Sequence, residues 1–201
     1  MKIRALVVAV FVLSIGAASA HAAAVSQFIG VNAGLTLPSG DLSNVAGTGF
    51  FVGGTYTYRL NEQFGIGGDV NYNSFGKKTF SNEFASVDET FHMLQIGAHG
   101  KYYFPMKDSK MMPYGKVGLG IYNSSAKVET PAYTIGTFTF PGGSTTASSS
   151  DFGFSLGVGT TMKISDKATW GVEAMYHIVS TSGSSADMIT IGASYNWKMG
   201  K

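Results

Sequence analysis

Hydrophobic and polar residues alternate one by one over long stretches of this chain, most clearly across 150–179. Phe152, Phe154, Leu156, Val158, Met162 and Ile164 form one set, against Asp151, Gly153, Ser155, Gly157, Gly159, Thr161 and Lys163. Ser165-Asp166-Lys167-Ala168 supplies a turn. Alternation then resumes with Trp170, Val172, Ala174, Tyr176 and Ile178 against Gly171, Glu173, Met175 and His177. A period of two over two arms predicts an antiparallel hairpin with one apolar and one polar face. The polar face is mostly Gly, Ser and Thr, which suits the cramped inside of a small barrel. The bulky face carries Trp170 and Tyr176 toward opposite ends, where membrane-interface aromatics lie. A lipid-facing exterior and a polar interior are therefore expected.

The same pattern recurs along the chain. In 28–37, Ile29, Val31, Ala33, Leu35 and Leu37 oppose Gly30, Asn32, Gly34 and Thr36. In 50–60, Val52, Tyr56, Tyr58 and Leu60 point out while Gly53, Thr55, Thr57 and Arg59 point in. In 64–74, Phe64, Ile66, Val70 and Tyr72 oppose Gly65, Gly67, Asp69, Asn71 and Asn73. Leu94, Ile96, Ala98, Tyr102 and Phe104 oppose Gln95, Gly97, His99 and Lys101 in 90–104. Val117, Leu119 and Ile121 oppose Tyr114, Lys116, Gly118 and Gly120 in 113–123. The last strand, 188–198, turns Ile189, Ile191, Ala193, Tyr195 and Trp197 outward.

Together with the opening hairpin these make eight strands of a length that spans a bilayer when tilted. The fold expected is all-β: an eight-stranded antiparallel up-and-down transmembrane β-barrel. Connections at 61–63, 105–112 and 165–168 are short. Those at 38–49, 76–89, 124–149 and 180–187 are longer and polar. Short periplasmic turns and long outer loops are the asymmetry of a bacterial outer-membrane barrel, and an even strand count puts both termini in the periplasm. Tyr58, Phe64, Tyr102, Phe104, Trp170, Tyr195 and Trp197 then form a periplasmic aromatic girdle, with Tyr72 and Tyr176 at the outer boundary.

Composition sharpens this picture at the start of the chain. Met1-Lys2-Ile3-Arg4, an apolar run from Ala5 to Ile15 and a small-residue tail have the plan of a secretory signal peptide over 1–22, cleaved after Ala20 or Ala22. The barrel then occupies 23–201 as one domain. Losing Lys2 and Arg4 takes the formal charge from +2 to zero, which gives no reason to expect nucleic acid. The absence of cysteine excludes disulfides, thiolate nucleophiles and zinc-thiolate sites. No run of 18 apolar residues occurs.

The signal, the alternating strands, the run Pro-Tyr-Gly-Lys-Val-Gly-Leu-Gly-Ile-Tyr at 113–122 and Phe-Gly-Phe-Ser-Leu-Gly-Val-Gly at 152–159 carry a resemblance. The chain resembles the small eight-stranded outer-membrane barrel superfamily, which includes the transmembrane domain of the major outer-membrane protein A. The likeness covers nearly the whole mature chain through pattern rather than identity. It implies a monomer in the outer-membrane bilayer of a Gram-negative bacterium, in contact with lipopolysaccharide and placed there by the barrel-insertion machinery. Many members end on an aromatic residue read by that machinery; here Lys198-Met199-Gly200-Lys201 follow Trp197.

For chemistry, the inward face offers Arg59, Asp69, Lys101, Lys116, Lys163 and Glu173, expected as a charge cluster in the periplasmic half of the lumen. Buried charges need partners, so Asp69 and Glu173 should accept from Lys101, Lys116 or Arg59. An eight-stranded barrel is just wide enough to be filled by its own side chains, which favours a plug of ion pairs over an ion path. His99 reads as a hydrogen-bonding lumen residue and His92 as outward near the outer end. His177 and Ser180 fall on opposite faces, and no G-x-S-x-G elbow occurs, so no enzyme is expected. Asp41, Asp88 and Glu89 lack metal-ligand spacing, and Gly118-x-Gly120 and Gly157-x-Gly159 lie inside strands, so neither metal nor cofactor is expected. The loops carry Phe80, Phe84, Tyr133, Ile135, Phe138 and Phe140, which either extend the sheet above the membrane or meet a partner. The role expected is structural or surface interaction, including adhesion or host contact. A narrow pore is the alternative, and a lipid-modifying enzyme the next.

Overall fold

The computed structural model describes residues 26–81, 86–106, 109–135, 137–181 and 185–200. The expected signal peptide over 1–22 lies outside them. Eight antiparallel strands close into a barrel: β1 Ser26–Pro38, β2 Gly47–Arg59, β3 Phe64–Gly76, β4 Ser86–Tyr103, β5 Met111–Thr130, β6 Gly143–Ser165, β7 Ala168–Ser180 and β8 Met188–Met199. Each strand pairs with its neighbours in sequence, and β1 pairs with β8 from Gln27↔Met199 to Pro38↔Met188.

Closure follows from the alternation. With bulky side chains on one face and small ones on the other, the sheet curls toward the small face, and closing removes every edge within the membrane. Val158 is 67% exposed, Leu35 55% and Ile121 53%, whereas Asn73 and Thr36 are fully buried. An exterior this apolar requires hydrocarbon around it.

At one end the turns are tight. Asn61 Oδ1 accepts from the N–H groups of Gln63 and Phe64, each at 2.8 Å, and closes the β2–β3 turn. Ser165 Oγ accepts from Lys167 N–H at 3.3 Å in the β6–β7 turn. At the other end the strands run past the barrel. β4 begins at Ser86 rather than near 90 and pairs with a short strand, Lys78–Ser81, so much of the connection read as 76–89 is sheet. β5 and β6 have 20 and 23 residues and stay paired to Thr130↔Gly143. The connection read as 124–149 is therefore mostly strand, tipped by the two-stranded hairpin Tyr133–Ile135 and Phe138–Phe140. A four-stranded sheet thus stands beyond the barrel on one side only.

Candidate functional site

The lumen is built in layers, and the layer nearest the short turns is ionic. Lys116 enters it from β5, in register with Gly157 of β6. Its ammonium lies 3.0 Å from Asp69 Oδ2 and 3.1 Å from Glu173 Oε1. Tyr114 O–H donates to Glu173 Oε2 at 2.8 Å, above Gly159. His99 Nδ1 lies 2.8 Å from Asp69 Oδ2, and its Nε2 is 3.2 Å from Thr57 Oγ1. A neutral ring protonated on Nδ1 satisfies both, donating to the carboxylate and accepting from the hydroxyl.

Two of the expected donors behave differently. Lys101 places its ammonium 5.0 Å from the Tyr114 ring centre, and Arg59 its guanidinium 4.1 Å from that of Tyr103. Arg59 Nη2 also donates to the Glu62 carbonyl at 3.3 Å. Both cations thus sit on aromatic faces, and Lys116 alone of the lumen cations lies within salt-bridge distance of Asp69 and Glu173 among the described residues. Lys163 does not join the lumen. It still pairs in register with Thr169, but it lies at the strand end beside the β6–β7 turn, and the side chain stands 59% exposed beyond the rim. It pairs with Asp166 Oδ1 at 2.7 Å and holds that carboxyl below its ordinary range.

The next layer is amide and hydroxyl. Asn32 Nδ2 donates to Asn71 Oδ1 at 3.0 Å, Asn71 Nδ2 to Gln95 Oε1 at 3.4 Å, and Asn73 Nδ2 to the Met93 carbonyl at 3.3 Å. His177 joins Tyr122 O–H at 3.0 Å through Nδ1 and Thr190 Oγ1 at 3.0 Å through Nε2. A cavity of about 30 Å³ lies between this layer and the ionic one, lined by Asp69, Asn71, Lys116, Glu173 and His177 among others. Ser180, by contrast with buried His177, is exposed at the strand end.

Above it the lumen turns apolar, which corrects the reading of the interior as small and polar throughout. Phe75, Met93, Tyr122, Val179 and Met188 point inward and pack on Leu42 and Ala46, all nearly or fully buried. Leu42 comes from a helical turn, α1 Leu42–Val45, in the connection read as an open polar loop. The turn is tied down from two sides. Ser185 N–H donates to Asp41 Oδ2 at 3.0 Å, and Ser39 N–H to the Asp187 carbonyl at 2.9 Å. The Lys78 ammonium donates to the Ser43 carbonyl. The signal for this plug was available in parity: Phe75 continues the inward series of Asp69, Asn71 and Asn73, and Met93 that of Gln95 and His99.

Outside, aromatic side chains gather at the short-turn rim. Phe64 and Tyr102 have ring centres 5.0 Å apart, Tyr102 and Phe104 4.9 Å, and Tyr195 and Trp197 4.7 Å. Trp170 stands opposite Tyr195 in register, and Tyr58 opposite Gln27 and Ile66. At the other rim His92 stacks on Tyr72 at 5.7 Å, and Tyr176 O–H donates to Asp187 Oδ2 at 3.1 Å. Of the loop aromatics, Phe84 lies outside the described residues.

The sequence matches the family pattern of the outer membrane protein beta-barrel domain over residues 10–196. The chain belongs to that family. Its fold is similar to that of Neisserial surface protein A, with a TM-score of 0.58 at 16% identity over 86% of this chain and 97% of that one. Ail, the attachment invasion locus protein of Yersinia pestis, gives 0.49 at 16% identity over 86% and 98%. The outer membrane protein OprG from Pseudomonas aeruginosa gives 0.45 at 13% identity over 89% and 98%. No curated protein matches the sequence. Family membership places the barrel in the outer membrane, so the apolar exterior faces lipid.

Proposed function

We propose that this family member is a closed barrel that works by surface interaction, through the sheet that β4, β5 and β6 raise beyond the bilayer. One observation carries the reading: the lumen is occupied at both levels, by the Lys116 ion pairs below and by the Leu42 plug above. A lumen so filled offers ions no continuous water path, so function falls to what stands outside it. The short-turn end, with its fuller aromatic rim, faces the periplasm, and the long strands face outward. The barrel is a monomer after insertion by the barrel-assembly machinery, with Tyr72 and His92 at the level of lipopolysaccharide headgroups. Adhesion or host contact is the kind of role the outer sheet suits, and no reaction is assigned to it.

Conductance of the refolded protein in planar bilayers tests this, beside Lys116→Ala and Glu173→Ala. The expected record is silent for all three, with folding verified by heat-modifiable gel mobility. Steady channels altered by either substitution would replace surface interaction with a pore gated by its lumen charges.

A further inference from the structure

Sulfur gathers at the short-turn rim. β5 opens with Met111 and Met112, and β6 carries Met162 directly opposite Met111 in register. Lys163 N–H donates to the Lys110 carbonyl at 3.1 Å, so 110 and 163 form a hydrogen-bonded pair. Met111 and Met162, next along the ladder, are then a non-hydrogen-bonded pair. In such a pair the Cα atoms stand about 4.5 Å apart and the side chains lie closest. Both share parity with the outward Val117 and Val158, and Met111 is 40% exposed. Met112 takes the other face, where its Sδ accepts from Arg59 Nη2. In the β4–β5 hairpin Tyr103 meets Tyr114, and Phe104 N–H donates to the Pro113 carbonyl. Continuing that register brings Met106, 47% exposed, opposite Met111. Trp170 stands opposite Met162 on its other side. Met106, Met111, Met162 and Trp170 thus make one row along the rim. Contact with lipid asks only for apolar surface, which Leu or Ile supplies equally well, whereas three thioethers side by side are a set of soft metal ligands.

We infer that Met106, Met111 and Met162 form a binding site for a soft monovalent metal ion, the class of Cu(I) and Ag(I), with Trp170 flanking it. Thioether sulfur is neutral and polarisable, so it holds Cu(I) well and leaves Mg2+ and Ca2+, which take oxygen ligands, in water. Three rotatable bonds let each sulfur turn toward a shared ion. The indole face beside Met162 favours a cation. Neighbouring charge does not oppose this. Lys110 and Lys163 take the other parity, and Lys163 is already paired with Asp166. No other soft ligand competes on equal terms. The chain has no cysteine, and His99 and His177 are buried with both ring nitrogens engaged. His92 lies at the opposite rim, stacked on Tyr72. Met93, Met175 and Met188 are buried in the lumen. The inference goes beyond the surface-interaction reading and does not depend on it, because it concerns the other end of the barrel.

The probe is silver nitrate in chloride-free buffer, because Ag(I) keeps its oxidation state in air. It is titrated into the refolded barrel in lipid nanodiscs with isotope-labelled methionine methyl groups. The methyl signals of Met106, Met111 and Met162 should shift together and saturate at a single ion per barrel, with Kd below about 10 μM. Those of Met93, Met175 and Met188 should stay in place. Excess Mg2+ should not displace the ion. Met111→Leu and Met162→Leu keep the rim apolar, so heat-modifiable gel mobility should be unchanged. Each should nonetheless weaken Ag(I) binding by about tenfold or more. Affinity unchanged in both variants overturns the inference, as do shifts confined to the lumen methyl groups. The absence of any saturable shift also overturns it and leaves these methionines as lipid contacts.

Discussion

Lys116 holds two carboxylates at once, and its loss would be felt twice. Lys116→Ala leaves Asp69 and Glu173 buried without their nearest cation, and uncompensated buried charge costs about 3–5 kcal/mol. Urea unfolding in lipid vesicles should show a loss of that size. The double variant Lys116→Met, Glu173→Gln should recover part of it, because one charge of each sign is removed and Lys101 and His99 still face Asp69. A second residue-scale effect belongs to Gly159, where an added Cβ would meet Tyr114 Cζ at 2.5 Å and the Val172 carbonyl at 2.7 Å. Gly159→Ala should push Tyr114 off Glu173 and cost about 1–3 kcal/mol in the same assay. Most of this layer was legible beforehand, since parity alone assigns Asp69, Lys101, Lys116 and Glu173 to one face. Partner choice was not legible. Whether a cation meets a carboxylate or a ring depends on shear between strands, which a single strand's pattern does not encode. Lys163 was misplaced because parity fixes the face of a strand and not the depth: it keeps the register of the lumen residues, opposite Thr169, but stands exposed past the rim.

Among elements, the helical turn Leu42–Val45 is the one that alternation could not announce. It is too short for a period, and its apolar content is a single Leu and Val among polar residues. What drives it inward is the apolar cup that Phe75, Met93, Val179 and Met188 leave at the mouth. Leu42→Ala should therefore cost about 2–4 kcal/mol locally. The loss should appear as faster hydrogen exchange at 42–46, with the β1–β8 amides unchanged. The upper parts of β5 and β6 escaped for the opposite reason. Ser144 to Ser150 form a strand without an apolar face, because no lipid or core lies beside them, and a pattern of burial cannot report a strand that buries nothing.

For the whole molecule, the aromatic rim is expected to set depth in the bilayer. Trp170 and Trp197 stand toward the same short-turn rim, next to Tyr195. Their fluorescence should be quenched more by lipids brominated near the glycerol than by lipids brominated near the chain ends. Equal quenching at both depths would move the rim away from the interface. The fold class, strand count and lipid-facing surface were readable at this scale, because the bilayer imposes one repeated rule on every strand. The asymmetry of the outer sheet was not, because it depends on how far each strand outlasts its neighbours.

The β1–β8 seam joins residues near 27 to residues near 199. Closing it is the longest-range step available to this chain, and non-local pairings form slowly. Until β8 arrives, β1 and β7 each present a row of unpaired amides, which hydrocarbon does not tolerate. Insertion and closure must therefore be nearly simultaneous. A barrel of seven strands is not a weaker version of this protein but an aggregation-prone intermediate, and the last strand to be synthesised decides whether any of the others are stable.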